Sequence, residues 1–291
     1  MTIFEASFCS AVPTMSNSRE PIFPCLRIKG GDKKIWCPSP LHGRSFVVGR
    51  SASGRYIVTK GNGLSYTKYT FLHTGEFYDD TWGLLLRHDA ERDFTMGLEI
   101  ESLGIKTNHM EYVLELDLKI KLPNGHEVKP CLLQYDVACP YRICDAPFMT
   151  QTQIDSEVEG WKHMNSKNYR KKHMIAADVL IRNLRILHDH GVLHNAIGEQ
   201  NYTWSLELLD FELACSPMHP YSSEDDMRHV RDLFQREILQ SYVVINYIAG
   251  VLRETVDYDS VDELFSEYGF CLNKSDVLDM GTFEMPLDRG N

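Results

Sequence analysis

The spacing of apolar positions divides the chain into a strand-rich first half and a helical second half. Residues 45–48 and 55–60 are short runs rich in β-branched and aromatic residues, which predict two strands. The turn between them carries Gly49 and Gly54, so the two strands are predicted to form a hairpin.

Further elements are predicted on either side of this hairpin. Residues 1–40 lack a clear period and are predicted to be irregular, with a short strand at most at 25–29. Residues 82–103 contain no proline, and their apolar positions recur near helical spacing, which predicts a long helix. A Pro-Asn-Gly turn separates the strand-like runs 111–118 and 128–137, which predicts a second hairpin.

Beyond about residue 138 the helical period dominates. Residues 172–188 place six apolar side chains on one face, and residues 227–254 form a second long helical stretch. We therefore predict an α+β fold with an irregular extension over 1–40, an N-lobe of antiparallel sheet and one helix over 41–137, and a helical C-lobe over 138–291.

Composition narrows the classes of function. The 291 residues include 41 acidic and 30 basic side chains, a formal net charge of −11 that argues against a general nucleic-acid binder. No apolar stretch approaches the roughly 20 residues of a membrane span, so no membrane association is expected. The first ten residues lack the pattern of a secretory signal, and the eight cysteines form no Cys-x-x-Cys pair. A reducing cytoplasmic setting is therefore expected.

The first candidate chemistry lies around Lys60. This lysine follows Gly54 by six residues and ends a predicted strand, where it could reach the phosphates of a nucleotide under the turn that carries Gly49. Glu99 or Glu101 of the predicted helix could pair with Lys60 and hold it. Taken singly, the glycine turn with its lysine is more typical of a plain surface turn, and either glutamate is more typical of a solvated helix face.

A second group of candidates follows an amphipathic helix. His194 precedes Asn201 by seven residues, and a Leu-Leu-Asp-Phe-Glu run that contains Asp210 and Glu212 comes nine residues later. The His-to-Asn spacing equals that of the protein-kinase catalytic loop, His-Arg-Asp-x-x-x-x-Asn. Asn201 and Asp210 offer the hard oxygen ligands that Mg²⁺ prefers, and Lys60 offers a point charge to ATP. We expect these groups to meet in a cleft between the two halves.

A histidine metal site is a competing hypothesis. His188, His190 and His194 do not share one helical face, and Gly191 indicates a helix end between them. A loop-positioning role for His194 is therefore the favoured interpretation.

Together these residues resemble the protein-kinase-like superfamily over residues 45–255, and within it selenoprotein O, a family that transfers AMP to protein hydroxyls. Residues 59–66 are similar to the lysine strand of that family and the stretch after it. The resemblance implies a bilobal fold that binds ATP and Mg²⁺, with Arg142 in an arginine-bearing segment near the nucleotide. The helix glutamate of the selenoprotein O family aligns with Leu98, one residue before Glu99.

The chain departs from this pattern at Ala196, where kinases carry the catalytic aspartate. One hypothesis is an active transferase that moves phosphate or AMP to a protein, peptide or small molecule, with Glu199, Glu212 or the substrate accepting the proton. A second is a pseudokinase that binds a partner, with or without nucleotide. A third is an unrelated α+β domain.

Overall fold

The computed structural model describes two compact units. One contains residues 1–160 and 199–214, and the other contains residues 161–198 and 215–291. The residues described are 2–19, 22–23, 25–28, 33–38, 44–63, 83–121, 125, 127–220 and 230–271.

An antiparallel sheet forms the centre of the first unit. Within the described residues it has eight strands in the order β2-β7-β10-β6-β5-β4-β1-β3, and β8 pairs with β9 in a separate ribbon. The strands are β1 Thr2–Cys9, β2 Ala11–Ser16, β3 Cys25–Ile28, β4 Lys33–Cys37, β5 Ser45–Arg50, β6 Tyr56–Lys60, β7 His109–Leu116, β8 Ile120–Lys121, β9 Glu127–Val128 and β10 Cys131–Val137.

The prediction of an irregular extension over residues 1–40 is wrong, because four of these strands lie there. Their partners explain why the local pattern missed them. β2 pairs with β7, about a hundred residues away, and Pro13 interrupts its register at the edge of the sheet. The short strand predicted at 25–29 corresponds to β3, and Lys29 lies outside the described residues.

Both predicted hairpin regions form antiparallel pairs. β5 and β6 pair from Ser45 opposite Lys60 to Arg50 opposite Tyr56, and Gly54 in their turn has a φ of +82°. β7 and β10 are also neighbours, with the ribbon of β8 and β9 between them in the chain. The Pro-Asn part of the second predicted turn lies outside the described residues.

The predicted long helix is α1, Arg87–Ser102. It begins later than predicted because Leu84 and Leu85 form bridges to Asn62 and Cys131 and are held as extended backbone. Residue 82 lies outside the described part of the chain. The first unit also contains a 3-10 helix, Ile143–Phe148, and α2, Gln151–Glu159.

The second unit is helical in its described residues. It contains α3 Lys172–Asp189, α4 Val230–Leu252 and α5 Tyr258–Glu267, and a 3-10 helix covers Gly160–Met164. The start of the helix predicted at 227 falls outside the described residues. The predicted α+β class, a strand-rich part with one long helix followed by a helical part, is confirmed. None of the described helices is long and apolar enough to cross a membrane.

The compact units do not follow the predicted division at residue 138. Residues 138–160 and 199–214 belong to the strand-rich unit. Arg142 forms a bridge with Thr203, and the Ile143 amide donates to the Tyr202 carbonyl at 2.8 Å. This backbone pairing joins two segments that are distant in the sequence, and so the boundary cannot be found from local composition.

Candidate functional site

Lys60 is the last residue of β6 and only 1% exposed. Its ammonium nitrogen donates to Asp93 Oδ2 and to Asp210 Oδ1, each at 2.5 Å. A third carboxylate oxygen, Glu212 Oε2, lies 3.3 Å away. A buried lysine with three carboxylates around it is the centre of the candidate site.

The partner of Lys60 on α1 is Asp93, which corrects the prediction of Glu99 or Glu101. Asp93 also accepts the Phe211 amide through Oδ1 at 2.9 Å. Glu99 lies six residues later, and a helix turns by about 100° per residue, so its side chain leaves the helix in a different direction. Glu101 instead contacts His109 Nδ1 at 3.0 Å.

The sequence did carry a signal for Asp93. Ala90, Phe94, Gly97 and Ile100 form the buried face of α1, and Asp93 lies among them with 1% exposure. An acidic residue within an apolar stripe needs a buried partner. That criterion selects Asp93 over Glu99.

Gly49, predicted in the turn, lies within β5, and Gly54 lies in the turn itself, at the opposite end of the hairpin from Lys60. That a nucleotide lies under this turn within reach of Lys60 stays a prediction. The pairing runs from the turn to Ser45 opposite Lys60, and a strand rises about 3.4 Å per residue. The residue next to Lys60 at this end is Arg44, which immediately precedes β5.

Arg44 belongs to the site although sequence reasoning missed it. Its Nη2 atom donates to Glu212 Oε1 at 2.5 Å and lies 3.7 Å from Asp210 Oδ1. It follows residues 39–43, which lie outside the described residues. The sequence offered no periodic signal for its position.

Asn201 and Asp210 come together as the sequence predicted. The Leu209 amide donates to the Asn201 carbonyl at 2.9 Å, which aligns the two segments. Asp210 has a φ of +69°, a left-handed conformation that aspartate tolerates better than most residues. The next residue, Phe211, is fully buried and anchors the turn.

Arg142 links both of these residues. Its Nη1 atom donates to the Gln200 carbonyl at 2.6 Å and to Asn201 Oδ1 at 3.1 Å, and it lies 3.5 Å from Asp210 Oδ2. The Arg142 residue is 4% exposed. Arg142 therefore lies beside Asn201 and Asp210, and its role in nucleotide binding stays a prediction.

The charges in the cluster shift one another's pKa values. Burial lowers the pKa of Lys60, but Asp210, Asp93 and Glu212 outweigh this effect and hold it above its ordinary value. Burial raises the pKa of Asp210, but Lys60, Arg44 and Arg142 hold it well below its ordinary value. All three cations therefore keep Asp210 ionised.

Two groups of oxygens have the chemistry to hold a divalent ion, but each already has a protein cation. Carboxylate oxygens of Asp93, Asp210 and Glu212 lie within 4.8 Å of one another, and Lys60 contacts all three side chains. Asn201 Oδ1 and Asp210 Oδ2 are both close to Arg142. In this arrangement, the residues present fit a protein cation rather than Mg²⁺.

His194 and Ala196 lie in the helical unit. The Ala196 amide donates to His194 Nδ1 at 3.3 Å, and His194 is fully buried. Asn195, with a φ of +65°, donates its amide to Glu237 Oε1 at 2.6 Å, and Glu237 Oε2 lies 2.9 Å from His188 Nε2. These contacts support a loop-positioning role for His194.

The remaining sequence candidates have other surroundings. Glu199 is half-buried in the strand-rich unit, where its carbonyl accepts the Cys144 amide at 3.1 Å. His190 Nδ1 lies 2.8 Å from the Ile186 carbonyl, while His188 contacts Glu237. The two histidines thus have separate partners, which argues against the competing histidine metal site.

Comparisons with known proteins give similarity in structure without similarity in sequence. No family model and no curated protein matches the chain. The kinase domain of a Toxoplasma gondii rhoptry antigen is 11% identical with a TM-score of 0.37, over 82% of this chain and 76% of that one. A Stt7 homolog from Micromonas algae, soaked with ATP, is 13% identical with a TM-score of 0.40, over 84% and 80%. Similarity at this level assigns no residue a role.

Proposed function

We propose that this chain is a kinase-like protein that binds the phosphates of ATP at Lys60. The observation that carries this proposal is the buried Lys60 ammonium, held between Asp93 of α1 and Asp210 of the Asp-Phe-Glu segment. Three separate segments of the first unit contribute to this one arrangement. Because Lys60 is the last residue of β6, the sheet fixes the direction in which its side chain leaves the backbone.

The number of charged groups at the site supports a role beyond stabilising the fold. Burying an ion pair seldom stabilises a fold more than apolar residues of the same volume would. Here Arg44 and Arg142 join Lys60 around the carboxylates. Guanidinium groups bind phosphate oxygens with paired hydrogen bonds, and a lysine adds a point charge. Perturbed pKa values in such a cluster are typical of functional sites.

The same geometry argues against base-catalysed transfer through Glu212. Burial raises the pKa of Glu212, but Lys60 and Arg44 outweigh this effect and lower it, so the carboxylate is a weak proton acceptor. Ala196 offers no carboxylate either. We therefore propose nucleotide binding as the primary function, and the predicted Mg²⁺ is not part of it.

Transfer of phosphate or AMP is a second candidate. It is favoured by the assembled Lys60 and Asp210 pair, because positioning and charge stabilisation supply most of the catalysis in such reactions. A protein, peptide or small-molecule acceptor, the selenoprotein O-like chemistry and Glu199 as proton acceptor stay predictions from the sequence.

Calorimetric titration with ATP tests the binding proposal. Lys60→Met should abolish binding, whereas Lys34→Met, which alters an exposed lysine of β4, should leave it unchanged. Arg44→Gln provides a second loss-of-charge variant if Lys60→Met does not fold. Absence of ATP binding by the folded wild-type protein would contradict the proposal.

Labelled ATP separates binding from transfer. Incorporation of an α-phosphate label into protein or another acceptor indicates AMP transfer, and incorporation of a γ-phosphate label alone indicates phosphoryl transfer. Binding without either label identifies a nucleotide-binding module. The Lys60→Met variant serves as the background in each reaction.

A further inference from the structure

One nitrogen of Arg142 lies among the oxygens that the sequence assigns to Mg²⁺. Nη1 contacts Asn201 Oδ1 at 3.1 Å and lies 3.5 Å from Asp210 Oδ2. The same atom donates to the Gln200 carbonyl at 2.6 Å. A metal ion that bridged Asn201 and Asp210 would need the space around this nitrogen.

Both the backbone and the guanidinium group of Arg142 are held in place. Its backbone amide donates to Asp145 Oδ2 at 2.7 Å, and its backbone forms a bridge with Thr203. Its head group is fixed by the Gln200 carbonyl. Because a guanidinium stays protonated in proteins, this position carries a permanent positive charge.

The cluster also has its own charge balance. Three side-chain cations face three carboxylates, so the carboxylates need no added ion for neutrality. A divalent ion close to Arg142 would meet strong repulsion, since two unit charges 4 Å apart interact by about 4 kcal/mol at an effective dielectric constant of 20. The cations are Arg44, Lys60 and Arg142, and the carboxylates are Asp93, Asp210 and Glu212.

We propose that the Arg142 guanidinium takes the place of a divalent cation between Asn201 and Asp210, so that this site binds nucleotide phosphates without a metal ion. Arg142, Arg44 and Lys60 offer N–H donors to the phosphate oxygens, and because their carboxylate partners balance their charges, binding rests on these hydrogen bonds rather than on a net positive charge. A metal that displaces Arg142 from Asn201 and Asp210 is the competing outcome.

Binding of Mn²⁺ alone, followed by electron paramagnetic resonance, tests the first half of the proposal. In the wild-type protein, no saturable Mn²⁺ binding should depend on Asp210. Wild type and Asp210→Asn should therefore bind Mn²⁺ equally. Arg142→Gln, which removes the charge and keeps a polar side chain, should gain such a site. Arg142→Lys keeps a cation and should not gain it.

Either of two results overturns this half. One is a Mn²⁺ site in the wild-type protein that Asp210→Asn removes, because Arg142 would then not exclude the metal. The other is a folded Arg142→Gln protein that gains no site. The wild-type measurement decides the question even if the variant fails to fold.

The second half rests on the proposed function and is tested with ATP. Wild-type affinity for ATP should be the same in EDTA as in Mg²⁺. Arg142→Gln should weaken binding in EDTA by about ten- to hundredfold, the effect of losing a charged hydrogen bond, and Mg²⁺ should restore part of it. Wild-type binding only with Mg²⁺ overturns this inference and leaves the proposed function standing, whereas no ATP binding in either condition contradicts the proposed function itself.

Discussion

Lys60 of β6 and Asp93 of α1 form a hydrogen-bonded ion pair of 2.5 Å, with side chains only 2% and 1% exposed. The pair ties the long helix to the sheet at the strand end where Arg44 and Asp210 also lie. The same contact therefore holds α1 against the sheet and orients the Lys60 side chain.

Replacing Asp93 tests this double role. Asp93→Asn leaves Lys60 buried with one carboxylate fewer, and loss of one partner of a buried pair typically costs about 3–5 kcal/mol. Because Asp210 and Glu212 remain beside Lys60, we expect the lower end of this range in a urea unfolding experiment. Glu99→Gln on the same helix should change the free energy of unfolding by less than about 0.5 kcal/mol. An equal effect of both changes would contradict the assignment of Asp93 as the partner.

Glu237 should control the order of the loop that contains Ala196. Glu237 is 1% exposed and accepts the Asn195 amide at 2.6 Å. Glu237→Leu removes this acceptor, and a buried donor left unsatisfied costs about 1–3 kcal/mol. We expect faster hydrogen exchange at the Asn195 amide, measured by mass spectrometry or NMR. The exposed neighbour Arg236 supplies the control, since Arg236→Gln should leave that exchange rate unchanged.

Two helical glycines should respond in opposite directions to alanine. A Cβ on Gly97 of α1 would lie 2.9 Å from Met110 Cγ and 3.2 Å from Phe211 Cδ2, so Gly97→Ala forces repacking that typically costs about 1–3 kcal/mol. Gly250 of α4 has open space at the same position, and Gly250→Ala should stabilise the protein by about 0.5–1 kcal/mol through helix propensity. Thermal unfolding of both variants checks this contrast, and stabilisation by Gly97→Ala would contradict the close packing of Gly97 against Met110 and Phe211.

Glu254 gives the helical unit an acid-sensitive contact. It accepts the Lys172 amide at 3.0 Å and the His173 amide at 2.9 Å at the start of α3. Burial raises its pKa, but these bonds outweigh that effect and lower it below the ordinary 4.5. A lowered pKa in the folded state means that the stabilisation is complete above pH 4.5 and is lost as pH falls through the lowered pKa.

Unfolding measured against pH tests this expectation. At pH 7, Glu254→Gln should destabilise the protein by about 0.5–2 kcal/mol, as expected for loss of a helix cap. The difference from wild type should shrink as the pH falls below 4.5. Glu263→Gln, at an exposed position of α5, should show little difference at any pH. A constant difference between wild type and Glu254→Gln would argue against ionisation as its cause.

The sequence by itself determined the elements whose pattern is local. Periodicity predicted the β5–β6 hairpin, α1 and α3, because side-chain direction follows the backbone period within a single element. The spacing of Asn201 and Asp210 also indicated that they would lie together, and they do.

Only the tertiary structure decided which charges meet. β2 is recognisable through its pairing with β7, and Lys60 selects Asp93 because that side chain points into the packed face of α1. Arg44 reaches the site from the position immediately before β5, which no period describes. Burial and ion pairing depend on segments brought together across the chain, so these contacts exist only once the sheet and α1 have packed.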